Sequence, residues 1–138
     1  MIKLIAGVKG TGKTKQLIDL TNKALAESSG AVVCLEQGTK LIREIKSQAR
    51  LINTADYAVE DGQSLYGFVA GICASNYDIT HIFIDSALKI CKNDIASFEY
   101  FLKECEELSS KEGIAVDFII TASMPVEELT EALKKYVG

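Results

Sequence analysis

The feature that most constrains this chain is the octet Gly7-Val8-Lys9-Gly10-Thr11-Gly12-Lys13-Thr14, which lies between a short apolar run and a helix-patterned one. Ile2 to Ala6 suits a buried strand and Lys15 to Glu27 a helix, so the octet has to turn the chain from one to the other. Glycine, four residues, then glycine, lysine and serine or threonine is a pattern in which each fixed position has a mechanical reason. Gly7, Gly10 and Gly12 admit backbone conformations closed to other residues and bring N–H groups against phosphate oxygens with no side chain between. The helix that follows adds the positive end of its dipole. Lys13 reaches the terminal phosphates as a point charge, and the Thr14 hydroxyl is placed to ligate magnesium. Gly7 to Lys15, with Val8, Lys9 and Thr11 among them, is therefore the expected nucleotide-binding segment.

The bulk numbers narrow the classes. A chain of 138 residues is expected to fold as one domain, residues 1–138, without disulfide staples. With a net charge of −4 and only Arg43 and Arg50 as arginines, it offers little attraction to a nucleic-acid backbone. Cys34, Cys73, Cys91 and Cys105 are widely spaced, with no Cys-x-x-Cys pair, so they read as small core residues and not as zinc ligands. No run is long enough to span a bilayer and the first apolar run is too short for a secretory signal, which sets the expectation of a cytoplasmic protein.

Along the chain, apolar strands alternate with helices. Ala31 to Leu35, a short stretch at Leu51-Ile52, Thr80 to Asp85 and Ala115 to Thr121 read as strands. Thr39 is expected to cap a short helix with Leu41, Ile42 and Ile45 on one face. Gly62 to Ser75 reads as a helix on which Gly67 and Gly71 lie one turn apart, as close approach to a neighbour requires and as chance also allows. Asn93 or Asp94 caps a long helix ending near Gly113, and Pro125 opens a closing helix bearing Val126, Leu129, Leu133 and Tyr136. The alternation implies a three-layer α/β/α fold with a mostly parallel sheet of about five strands.

In such a sheet ligands bind beyond the carboxyl ends of the strands. That singles out Glu36 and Gln37, Asp85 and Ser86, and Thr121 and Ser123 beside the loop. Asp85 ends the run Ile82-Phe83-Ile84, from which a carboxylate can hold magnesium or its water shell. His81 falls at the far end of that strand and takes no part.

Gly7 to Thr14 resembles the Walker A motif of the P-loop NTPases, and Ile82-Phe83-Ile84-Asp85-Ser86 resembles a Walker B strand ending Asp-Ser. With Val32-Val33-Cys34-Leu35-Glu36, the likeness is to RecA-like ATPases of the additional-strand, catalytic-glutamate class. The resemblance implies Lys13 and Glu36 as catalytic residues, Glu36 being the base for the attacking water. It implies magnesium on Thr14 and Asp85, and Thr121 or Ser123 as a sensor of the γ-phosphate, although Ser123 serves equally as a helix cap. The class also places the last strand between the loop strand and the Asp85 strand, whereas kinases and GTPases make those two neighbours. The chain departs from large recombinases in stopping one helix after its last strand and in lacking DNA-binding loops. Arg43, Arg50 or Lys89 acting across a subunit interface would supply an activating charge, making a homo-oligomer or protein partner part of the expectation. The implied function is a small magnesium-dependent ATPase. A non-hydrolysing nucleotide switch or partner-binding module is one alternative, and a kinase-like phosphotransferase a second that the absence of an arginine-rich lid disfavours. No guanine-specific Asn/Thr-Lys-x-Asp element is present, so ATP is the nucleotide the resemblance implies.

Overall fold

The five apolar runs pair side by side in one all-parallel sheet: β1 (Ile2–Gly7), β2 (Ala31–Glu36), β3 (Arg50–Asn53), β4 (Ile79–Ile84) and β5 (Asp117–Ser123). The computed structural model describes all of residues 1–138. Strand order is β1-β5-β4-β2-β3. Parallel neighbours cannot be joined by hairpins, and the connections carry α1 (Lys13–Glu27), α2 (Gly62–Ser75), α3 (Ala87–Ile90) and α4 (Ile95–Ser109), with α5 (Glu131–Lys134) closing the chain.

Alternation along the strands sends side chains to two separate apolar clusters, one on each face. Leu4, Val33, Leu35, Ile82, Ile84, Phe118 and Ile120 pack with α2, α3, α4 and the closing segment. Ile5, Val32, Cys34, Phe83 and Ile119 pack with α1 and the turn after β2. Burial on both faces is why these strands read as unbroken apolar runs and not as alternating ones. Phe118 is fully buried, and its truncation to alanine would cost about 3–5 kcal/mol.

Three local expectations are corrected. After β2 the chain forms a 3-10 turn, Lys40–Arg43, in which Leu41 is buried but Ile42 is 64% exposed. Three residues per turn, against 3.6 in an α-helix, put successive side chains on different faces. The Thr39 hydroxyl accepts no capping hydrogen bond there. The closing segment is not one helix from Pro125: a short 3-10 turn, Val126–Glu128, precedes α5, which Thr130 caps, and Val126 is exposed. Leu129, Leu133 and Tyr136 are nonetheless buried, and Tyr136 accepts the Leu4 N–H at 2.8 Å along the outer edge of β1. Of the two readings open for Gly67 and Gly71, chance placement fits: both face open space, while the α2 glycine in close contact is Gly62, against the Ser97 carbonyl.

Parallel register brings all five carboxyl ends to one edge, with Gly7 opposite Ser123 and Glu36 opposite Asn53. No helix is long and apolar enough to cross a membrane.

Candidate functional site: the glycine-rich loop and the Asp85 strand end

The loop leaves β1 at that edge. Gly10 and Gly12 take φ of 88° and 84°, the left-handed region that an L side chain occupies only at a cost, and Gly12 is the N-cap of α1. Val8 gathers the loop inward, its carbonyl accepting the Lys13 ammonium and the Thr11 hydroxyl, both at 2.8 Å. The Met124 N–H donates to the Gly7 carbonyl at 3.0 Å, pinning the loop's base to the end of β5. Burial holds the Lys13 pKa below its ordinary value, and the Asp85 charge works in the opposite direction.

Asp85 follows β4 directly and is 8% exposed. Its carboxylate accepts the Thr14 hydroxyl at 3.3 and 3.4 Å and the Thr121 hydroxyl at 2.9 Å. The Thr121 oxygen in turn accepts the Ser86 N–H at 2.7 Å. Ser86 has a φ of 54°, a left-handed bend that starts α3 immediately beside the carboxylate.

Between loop and strand ends lies a cavity of about 630 Å³. Lys9, Gly10, Gly12, Lys13, Thr14 and Lys15 line it from the loop side, and Asp85, Ser86, Leu88, Lys89, Asn93, Ser123, Lys40 and Leu41 from the others. Gly7, Val8 and Thr11 shape the loop without lining the cavity. Thr121, expected as a phosphate sensor, is 1% exposed and sits behind Asp85, its hydroxyl engaged on both sides. Glu36 does not line the cavity either. Its carboxylate is 4% exposed and accepts the N–H groups of Lys40 at 2.9 Å and Leu41 at 3.2 Å, the cap that Thr39 does not supply. Arg43 and Arg50 also lie outside the cavity wall, and Lys89 is part of it.

As lining residues, sequence reasoning missed Lys40, Leu41, Leu88 and Asn93. Lys40 lies four residues past the end of β2, so a search extended slightly beyond each strand would have found it. Asn93 is brought in by the compact α3 turn and by its own φ of 60°, for which the sequence carries no signal. The four cysteines are free and buried; burial raises the Cys34 thiol and pushes Cys91 up to about 11, which leaves them inert core residues. His81 pairs with Asp117 at 3.9 Å in the amino-terminal half of β4.

One hydroxyl and one carboxylate in hydrogen-bond contact form a hard-oxygen pair suited to magnesium held jointly with phosphates. No group of three or more His, Cys, Asp and Glu residues forms a protein-only metal cage. No protein-family model matches the chain, and a search of curated proteins found no relative.

Proposed function

We propose that this chain is a magnesium-dependent, ATP-binding protein of the P-loop type that hydrolyses its nucleotide. The observation that carries the reading is the meeting of Thr14, from the first turn after the glycine loop, with Asp85, from a strand two positions away, at 3.3 Å. Supporting it, β5 lies between β1 and β4, the order that the RecA-like resemblance implies. Loop amides and Lys13 hold the phosphates, the ammonium exchanging the Val8 carbonyl for phosphate oxygens. Thr14 and Asp85 hold magnesium, which would withdraw charge from the phosphate oxygens. Lys9 and Lys15, at the loop's rim, add attraction for an anion arriving at an otherwise acidic protein.

One observation favours a second reading, the non-hydrolysing nucleotide switch. Asp85 is the only carboxylate lining the cavity, and Glu36, the base that the resemblance implies, is engaged with two backbone N–H groups. Catalysis by Glu36 therefore requires the Lys40–Arg43 turn to release it.

Thermal melting tests binding. Mg-ATP at a hundredfold over its dissociation constant stabilises by about 2.7 kcal/mol, a shift of several degrees that Lys13→Ala removes. No shift at millimolar nucleotide would sink both readings. Phosphate release then separates them: turnover supports the ATPase, and binding without turnover the switch.

A further inference from the structure

We propose that Lys40 and Lys89 recognise the terminal phosphate of the bound nucleotide, and that both act within the chain that carries the loop. The inference rests on the nucleotide reading above and deepens it. Five lysines line the cavity against one carboxylate, in a protein whose net charge is −4. Three of the five belong to the loop. Lys40 and Lys89 reach the same cavity from two other elements, the turn after β2 and α3.

Each of the two is carried by backbone that the site's own polar groups hold. Glu36 Oε1 accepts the Lys40 N–H at 2.9 Å, so a buried carboxylate positions the residue whose side chain lines the cavity. Thr121, while donating to Asp85, accepts the Ser86 N–H at 2.7 Å and so fixes the start of the short helix bearing Lys89. Neither lysine has a carboxylate within 4.0 Å of its ammonium. Both charges therefore lack a protein counter-ion, and like charges gathered around a partly enclosed space are relieved by an anion. A diphosphate is served by the loop, its amides and its own lysines; a third phosphoryl group brings the further negative charge that the two cations from outside the loop match.

The test is calorimetric titration of the full chain with Mg-ADP and with a magnesium complex of a non-hydrolysable imidotriphosphate analogue of ATP. Wild type is expected to bind the triphosphate more tightly. Lys40→Ala and Lys89→Ala should each weaken the triphosphate about tenfold while changing Mg-ADP by less than about twofold, since a charge-assisted hydrogen bond is lost only with the third phosphate. Both side chains are exposed, and unchanged melting of the nucleotide-free variants verifies the fold. Equal weakening of both ligands, or a triphosphate preference that survives in the double variant, would overturn the inference while leaving the nucleotide reading intact. Wild type binding neither ligand would overturn the nucleotide reading as well. Mixing the double variant with Lys13→Ala distinguishes one chain from two: recovery of tight triphosphate binding would mean that the lysines act on a neighbouring copy and would overturn the assignment within one chain.

Discussion

Thr121 donates its hydroxyl to Asp85 Oδ1 at 2.9 Å, and this contact between the adjacent strands β5 and β4 fixes the carboxylate on which the site turns. The same oxygen holds the Ser86 N–H, so one buried threonine orients the carboxylate and the bend that follows it. Thr121→Val keeps the shape but withdraws both bonds, leaving a buried donor unpaired and Asp85 with Thr14 alone. The expected cost is about 1–3 kcal/mol, measured by denaturant unfolding without nucleotide. Thr121→Ser, which retains the hydroxyl, should recover most of it. If valine were neutral, the hydroxyl would not be positioning Asp85.

Glu36 yields a prediction that separates its two roles. Glu36→Gln replaces one acceptor oxygen with an NH2 group facing a backbone N–H, at a carboxylate that is 4% exposed. The nucleotide-free protein should lose about 1.5–3 kcal/mol and melt several degrees lower. A glutamate serving only as a base would leave that melting temperature unchanged and alter turnover alone. An unchanged melting temperature would therefore count against the cap, and only together with lost turnover would it favour the catalytic role.

The contrast between Glu36 and Asp85 shows how far the sequence could be read. Continuous apolar runs located all five strands because the sheet is buried on both faces, and the Gly62–Ser75 helix was bounded correctly by its pattern. Loop and Asp85 were legible because each directly follows a strand, where backbone direction alone brings them to one edge. Glu36 is the last residue of its strand, but the direction of its side chain depends on the next four residues turning back over it, and a 3-10 turn leaves no period to read. Ile42 was misplaced for the same reason. Thr121 was brought to the right neighbourhood, but its bonds to Asp85 and the Ser86 N–H were not legible, since strand alternation specifies a face but not the depth at which a hydroxyl stops.

Lys13 gives a pH dependence. Burial lowers its folded pKa below the ordinary value of 10.5, with Asp85 acting to raise it. Between the folded and unfolded pKa values the unfolded chain then binds more protons, so Lys13 contributes a stability that increases as pH rises towards 10.5. Tyrosines and other lysines titrate nearby, so the measurable quantity is the difference between wild type and Lys13→Met in unfolding free energy across that range. Wild type should gain relative to the variant as pH rises. Asp85→Asn, which removes the opposing charge, should widen the window downward. A difference that is flat or falls with pH would mean that Lys13 is no less basic in the fold than in the unfolded chain.

The three glycines of α2 should respond in opposite directions to the same substitution. At Gly62 an added Cβ would collide with the Ser97 carbonyl of α4, and the Gly62 N–H already donates to Ser97 Oγ at 2.7 Å. Gly62→Ala must push α2 away from α4 and should cost about 1–3 kcal/mol, the range for overpacking a filled contact. At Gly67 and Gly71 nothing lies within 4 Å of the added carbon, and neither needs a positive φ. There alanine restricts the unfolded chain and favours the helix, so each substitution should stabilise by about 0.5–1 kcal/mol. Because α2 contributes no residue to the cavity, the melting shift produced by Mg-ATP should be preserved in both exposed-site variants. Destabilisation at Gly67 or Gly71 would mean that a partner covers that face of α2, since the chain by itself leaves the face open.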